Sequence, residues 1–397
     1  MAQQKDPNGS APPVLVAGGG IGGLAVALTL AKTGQTVHLL EQAREFSEIG
    51  AGLQLGPNAI RLLRQWQVLD ILEPDLVAPD ELRMMDGVSD EVIGLIPLGQ
   101  DFVTRFGAPY FVAHRGDLHR ALHKACAGQD NITLETNAAL EAYDQHDTGV
   151  TIRTSDGRTI EGRALIGADG LRSRVRAQLL GDGAPEQANH TTYRTLLTPE
   201  EMPADCAWNA ATLWAGPNTH LVHYPISGRR YFNIVATYAS SWSSEGWNEP
   251  GSKEELLHHF RKACPRVRKI LDTATSYRKW ALADRRPVEN WSNGRVTLLG
   301  DAAHPVLQYF AQGAAMALED ADRLAETVRD TQGNFEQAFQ RYQADRQPRT
   351  ARLYREARYL GGVYHARGIK RFFRNRIMKR QTPNQWYKRV EWVYSGP

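Results

Sequence analysis

The chain has 397 residues, 42% of them hydrophobic, with a formal net charge of +3 and three widely separated cysteines. That length suits a large core split into two structural lobes; the charge is too weak for a nucleic-acid reading, and the cysteines lack the spacing of a disulfide framework or a metal site. No run of eighteen apolar residues occurs, and residues 1–13 are polar rather than signal-like, so a loose tail and a cytoplasmic location are expected.

Val14-Leu-Val-Ala begins as an apolar strand and passes through Gly18, Gly20 and Gly23, spaced G-x-G-x-x-G, into an Ala/Leu-rich helix that Gly34 ends. Val37-His-Leu-Leu-Glu41 follows as a second strand closing on an acid. In this order the glycines allow the turn and the close approach of a pyrophosphate, and Glu41 meets a ribose hydroxyl. The plain alternative is an ordinary tight turn. Ile49 to Asn58 carries more glycines, which shape either a loop or the same site.

Residues 81–112 read as strand-rich. Asp117 then stands where an N-cap carboxylate would open a helix, while Arg115 and Arg120 are either solvated charges or a reach toward the pyrophosphate. Residues 131–163 alternate like strands and hairpins around Ser155-Asp-Gly-Arg158. Ala164-Leu-Ile-Gly-Ala-Asp169-Gly170 is a further apolar strand ending in Asp-Gly, followed by a basic helix start, Arg172 to Arg176.

Composition changes after about residue 181: five of the nine tryptophans (Trp208, Trp214, Trp242, Trp247, Trp280) lie between there and residue 284. A three-strand meander runs from Thr212 to Tyr238. Period two puts His220, Val222 and Tyr224 on one face and Leu221 and His223 on the other. A histidine on a strand admits a structural role as well as a catalytic one.

Val296 to Leu299 is a buried strand that stops at Gly300-Asp301, and a proline-containing loop leads to a helix from about Gly313. Small residues (Gly313, Ala314, Ala315, Ala317) let another molecule approach that helix start, whose free N–H groups attract negative charge. Beyond residue 330 the chain is helical and rich in arginine and lysine. Such a face is either solvated, with some dimer packing, or turned to a lipid surface or partner.

The fold class is therefore α/β (α+β): a discontinuous Rossmann-like lobe (residues 14–80, 106–180 and 285–345), an inserted antiparallel β-sheet lobe (81–105 and 181–284) and a helical C-terminal region (346–397), after a tail of residues 1–13. A single dinucleotide fingerprint implies that a nicotinamide cofactor visits rather than occupying its own domain.

Three segments in this order resemble the FAD-dependent aromatic hydroxylases of the para-hydroxybenzoate hydroxylase type: the glycine turn with Glu41, Gly167-Ala-Asp169-Gly170-x-x-Ser173-x-Val-Arg176, and Gly300-Asp301-Ala-Ala-His304-Pro305. Tyr342-x-x-x-Arg346-x-Pro-Arg349 is similar to a further pattern of that family. The resemblance implies FAD held with Glu41 at its ribose, Arg115 and Asp169 near the cofactor, and Asp301 at the ribityl-phosphate region. It puts the N–H groups of Gly313 and Ala314 at the flavin N1–C2=O edge, where reduced flavin carries negative charge. His304 would shape the flavin loop.

Leu307-Gln308-Tyr-Phe-Ala-Gln-Gly313-Ala, with His220-x-x-x-Tyr224-Pro225, looks most like the 3-hydroxybenzoate 6-hydroxylases. That resemblance implies His220, Tyr224 and Gln308 around a small aromatic acid, with His220 as base for the phenol. It implies NADH as hydride donor, NADPH being open, and O2 reacting to a flavin C4a-hydroperoxide. Attack para to the hydroxyl of 3-hydroxybenzoate gives gentisate (2,5-dihydroxybenzoate). Related enzymes are often homodimers. The alternatives are a decarboxylating salicylate 1-hydroxylase, a flavin-free NAD dehydrogenase and a flavin-binding sensor protein.

Overall fold

The computed structural model describes residues 11–46, 52–244 and 248–396. Ile49, Gly50 and Ala51 of the second glycine-bearing segment, Trp247 and the tail up to residue 10 lie outside the described residues.

The first strand, Val14–Ala17, is buried along its whole length because parallel strands flank it on both sides. Val37–Leu40 pairs with it on one side (Val14 opposite Val37) and Ala164–Gly167 on the other (Val14 opposite Ala164). A strand covered by helices on both faces needs no polar alternation, which is why Val14–Ala17 and Ala164–Gly167 read as continuous apolar runs, whereas Val37–Leu40 carries His38, paired with Glu135 at 2.8 Å. Ile132–Glu135 and Val296–Leu298 extend the sheet in parallel, and Ser292–Asn293 closes one edge antiparallel. The helices Ile21–Lys32 and Gly313–Asp330 cross one another on this sheet, and the Thr29 hydroxyl donates to the Ala321 carbonyl at 3.0 Å.

An eight-stranded sheet forms the second layer, with Thr219–Ile226 between Ala210–Gly216 and Tyr231–Ala239 and with Glu186–Leu197 beyond. One face is greasy: Tyr193, Leu221, Ile234 and Ala236 pack with the helices Lys253–His259 and Pro265–Thr273. Apolar burial at about 25 cal/mol per Å² holds that face down. The other face is thereby turned toward the nucleotide lobe.

The strand-rich stretch 81–112 also contains a helix, Gln100–Phe106, between the strands Val92–Pro97 and Phe111–His114. Phe102 and Phe106 pack edge-on against Tyr387 and Tyr394 of the C-terminal helix Pro383–Tyr394, a long-range contact that local alternation does not encode.

Residues 345 and 346 lie inside one unbroken helix, Phe335–Tyr364, which contains Pro348. Proline inside a helix costs about 3 kcal/mol. Here buried ion pairs on either side offset it: Arg346 donates to Glu319 (2.8 Å) and Asp320 (2.6 Å), and Arg349 to Glu319 (2.6 Å). The next helix, Gly368–Met378, is tied to the sheet through the fully buried Asp86, which accepts from Arg371, Arg374 and Asn375. Burial alone would raise the Asp86 carboxyl, but these donors hold it well below the usual carboxylate range. Among the described residues no helix is long and apolar enough to cross a membrane.

Candidate active site

A cavity of about 1990 Å³ runs between the two sheets. Pockets for small ligands usually measure roughly 300–1,000 Å³, so this one has room for a dinucleotide and a small molecule together.

Its nucleotide end begins where Val14–Ala17 stops. Gly18 has φ +106°, and a Cβ there would lie 2.5 Å from the Ala168 carbonyl oxygen. A Cβ on Gly23 would lie 1.8 Å from the Gly18 carbonyl oxygen, so both positions require glycine. Gly20 is the N-cap of the helix and places no side chain over its first N–H groups. Glu41 lines the cavity, accepting from the N–H of Gly19 (2.6 Å) and of Ala43 (2.8 Å). Each carboxylate oxygen keeps a second lone pair, so a ribose hydroxyl can still be bound.

Asp169 sits on the same wall, but its carboxylate is committed to local order. It accepts from the Ser173 hydroxyl (2.5 Å) and the N–H groups of Arg174 (2.7 Å) and Val175 (3.2 Å), opening the helix Arg174–Leu180. The basic helix start has a structural member: Arg176 is fully buried and donates to the carbonyls of Ala302 and Ala303. Of the two arginines weighed together, Arg115 lines the cavity, whereas Arg120 pairs with Asp117 at 2.6 Å on the surface. Asp117 is not the N-cap. His114 takes that place, its Nδ1 accepting from Gly116 N–H, while Asp117 also binds the Ser227 hydroxyl.

Asp301 reaches the cavity wall from a turn held by the buried Asp320, which accepts from Gly300 N–H (3.1 Å) and pairs with His304 Nε2 (2.6 Å). Burial would raise the Asp320 carboxyl; His304 and Arg346 outweigh it and bring it to about 2. His304 thus shapes the loop and is not placed to be a base. Gly313 and Ala314 start the helix Gly313–Asp330 on the cavity wall. A Cβ at Gly313 would meet nothing within 4 Å, so there is open space beside the start of the helix, where the first-turn N–H groups lack intrahelical partners.

The opposite wall is the inner face of the large sheet. Register puts Thr192, Thr237 and His220 in one cross-strand row and Arg194, Val235 and Val222 in the next. His220 is 3% exposed, and its Nδ1 lies 2.8 Å from Nε2 of His365. Burial, aided by His190, pushes the His220 imidazolium down to about 3, so the ring is neutral. Tyr224 is buried on the same face beside Gly52, where any side chain would strike its ring at 2.5 Å. His223 points the other way, toward Trp208 and Trp214. Gln308 hangs over the sheet from the turn Gln308–Phe310 and donates to the hydroxyls of Thr192 (3.1 Å) and Thr237 (3.2 Å).

Arg194 escapes a reading of the sequence, although strand parity with Thr192 was available to find it. Its guanidinium lies 4.0 Å over the Trp280 ring and donates to Gln308 Oε1 at 3.3 Å. Among the described residues it has no carboxylate partner. Burial lowers it from 12.5 to about 9. A buried guanidinium on a cavity wall has the charge and the donors to bind a carboxylate.

The family described as the FAD binding domain matches residues 12–357. The chain belongs to this FAD-binding family. FAD is its cofactor, and the residues present fit it: a side-chain-free glycine turn, an acid at the end of the second strand, and an open helix N-terminus at Gly313. A protein of Polaromonas naphthalenivorans (strain CJ2) named 3-hydroxybenzoate 6-hydroxylase is 44% identical, covering 96% of this chain and 95% of its own. One of the same name from Klebsiella oxytoca is also 44% identical, covering 96% of each. Among solved structures, Klebsiella pneumoniae HpxO complexed with FAD and uric acid superposes with a TM-score of 0.85 at 23% identity, covering 97% of each chain. A salicylate hydroxylase substrate complex gives 0.82 at 24% identity, covering 97% of this chain and 95% of the other. At these identities the two structures show the shared fold.

Proposed function

We propose that this chain is an FAD-dependent monooxygenase that hydroxylates 3-hydroxybenzoate para to its hydroxyl, giving gentisate, with NADH and O2 as co-substrates. One observation carries the reading: a single cavity joins the FAD cradle to a sheet face bearing a neutral imidazole, His220, and a buried guanidinium, Arg194, with no carboxylate partner among the described residues. The relatives of that name, 44% identical over nearly the whole chain, support this substrate over salicylate.

Bound FAD supplies the hydride-accepting and oxygen-transferring chemistry. The protein binds, aims and deprotonates. Arg194, with Gln308 beside it, takes the carboxylate of the acid, and His220 Nε2 takes the proton of the meta hydroxyl, its Nδ1 being engaged behind. Loss of that proton raises electron density para to the oxygen, at C6, which is the carbon to be hydroxylated. Tyr224 orients the ring from the same sheet face. The Tyr309 and Tyr364 side chains close the wall around His220 and keep water out.

The test is a panel of hydroxybenzoates, each incubated with the FAD-loaded enzyme, NADH and air, the carboxyl carbon labelled. Expected are the fastest NADH oxidation with 3-hydroxybenzoate and gentisate that keeps its label. Catechol with labelled CO2 released from salicylate refutes the assignment.

A further inference from the structure

Two threonine hydroxyls meet beneath the amide of Gln308, and between them they decide which way that amide faces. Thr192 and Thr237 stand opposite one another on neighbouring strands, both fully buried, with their Oγ1 atoms 2.9 Å apart. Gln308 Nε2 donates to both, at 3.1 and 3.2 Å, and Gln308 Oε1 accepts from Arg194 Nη2 at 3.3 Å. We propose that Thr192 and Thr237 are positioning residues: they fix the Gln308 amide with its carbonyl toward Arg194, and through it they aim the guanidinium at the carboxylate of the substrate. The proposal rests on the hydroxylase reading above.

Hydrogen count selects this orientation. An amide carries two N–H donors at one end and an acceptor at the other, while a threonine hydroxyl has one donor and two acceptor lone pairs. At 2.9 Å one hydroxyl hydrogen lies between the two threonines, so at most one is left for a third group. With Nε2 toward the pair, both amide hydrogens find an oxygen and Oε1 receives an N–H of Arg194. With the amide turned over, Oε1 would receive one hydroxyl hydrogen at most, and Nε2 would face a guanidinium that has only donors. Unmet buried donors cost more than a hydrogen bond returns, so the first arrangement prevails.

The frame around the amide is stiff. Threonine is branched at Cβ and restricted in χ1. The turn that carries Gln308 is held by Tyr364, whose hydroxyl donates to the Tyr309 carbonyl at 3.2 Å. The Tyr309 ring lies against Gly361, where a Cβ would come within 2.8 Å of it. Trp280, opposite Thr192 on the strand Tyr277–Asp284, supports the guanidinium of Arg194 at 4.0 Å. The indole and the Gln308 carbonyl thus hold Arg194 from two sides, on the cavity wall that Arg194 and Gln308 share. Selectivity follows from the same count. With both N–H groups spent on the threonines, Gln308 offers a ligand only an acceptor, so a carboxylate is received by Arg194 and repelled by Gln308 Oε1.

The experiment separates the hydroxyls from the space they fill. Thr192→Val combined with Thr237→Val keeps the branching and removes both hydroxyls, whereas Thr192→Ser combined with Thr237→Ser keeps them. Each pair is made in the full-length, FAD-loaded enzyme, and Kd for 3-hydroxybenzoate and for phenol is titrated through the flavin spectrum without oxygen. The valine pair should raise Kd for 3-hydroxybenzoate roughly tenfold, the low end of losing a charge-assisted hydrogen bond, and leave phenol unchanged. The serine pair should bind both ligands as the parent does. Gln308→Glu gives a second route that spares the threonines: a carboxylate in place of the amide carbonyl pairs with Arg194, so Kd for 3-hydroxybenzoate should rise about tenfold or more while phenol still binds. The positioning role is overturned if the valine pair binds 3-hydroxybenzoate as the parent does or weakens phenol equally. Serine substitutions as harmful as valine, or normal 3-hydroxybenzoate binding by Gln308→Glu, overturn it too. If the valine pair folds poorly, Gln308→Glu decides. A parent enzyme that forms no gentisate removes the underlying reading; one that forms it while the variants bind normally loses only the positioning role.

Discussion

Replacing Arg194 with methionine should weaken substrate binding and strengthen the fold at once. In the substrate-free enzyme the guanidinium has Gln308 as its hydrogen-bond partner, at 3.3 Å, and its buried Nε has none. Burial lowers it from 12.5 to about 9, which at about 1.4 kcal/mol per unit is an upper limit of ~5 kcal/mol of destabilisation. The stacking on Trp280 at 4.0 Å returns about 1–2 kcal/mol. Methionine of similar length removes the buried charge and keeps the packing, so a gain of about 1–3 kcal/mol and a Tm higher by a few degrees are expected. The cost falls on the ligand. A charge-assisted hydrogen bond contributes about 1.5–3 kcal/mol, so Kd for 3-hydroxybenzoate should rise roughly 10- to 150-fold. Phenol, which lacks the carboxylate, should bind parent and variant alike. Titrations following the flavin spectrum without oxygen, with calorimetric melting of the substrate-free enzyme, read both effects. If both ligands weaken equally, or 3-hydroxybenzoate binds unchanged, Arg194 is not the carboxylate anchor.

Two further substitutions probe the cavity's other walls. His220→Ala should slow hydroxylation roughly 10²–10⁴-fold with flavin content unchanged, as measured by single-turnover product formation; unchanged turnover would make His220 a structural histidine. Asp320→Ala leaves Arg346 and His304 without their shared carboxylate and should cost about 3–5 kcal/mol in urea unfolding at pH 7. The sign with pH follows from the depressed carboxyl. A group lowered from 3.8 to about 2 stabilises the fold fully above about pH 4, and that contribution is lost as pH falls toward 2. The gap between parent and variant should therefore narrow below about pH 4, and a gap constant from pH 7 to pH 3 contradicts the network.

Much of the nucleotide lobe is readable along the chain because its demands are local. Gly23 is imposed by its own turn, through the Gly18 carbonyl, and Gly18 by its φ of +106°, although the Ala168 carbonyl that also crowds it belongs to a neighbouring strand's turn. Continuous apolar runs mark strands covered on both faces, and period two places His220 and Tyr224 together and His223 behind them. Asp117 shows where such reading stops. An acid near a helix start suits an N-cap, yet His114 caps this helix and Asp117 is taken by Ser227, a residue 110 positions away. Pro348 makes the same point: the pressure to end a helix loses to buried ion pairs with Glu319 and Asp320.

The amino-acid order alone determined the glycine turn, the acid that follows it, the positive helix end at Gly313 and the face on which His220 lies, because backbone stereochemistry and strand or helix period act over a few residues. Tertiary structure decided that Arg194 is buried with no carboxylate partner among the described residues and that His190, His220 and His365 stand in line. Desolvation is set by everything packed around a group, and the line of imidazoles exists only because sheet register and a thirty-residue helix bring His365 to 2.8 Å from His220 and 3.0 Å from His190.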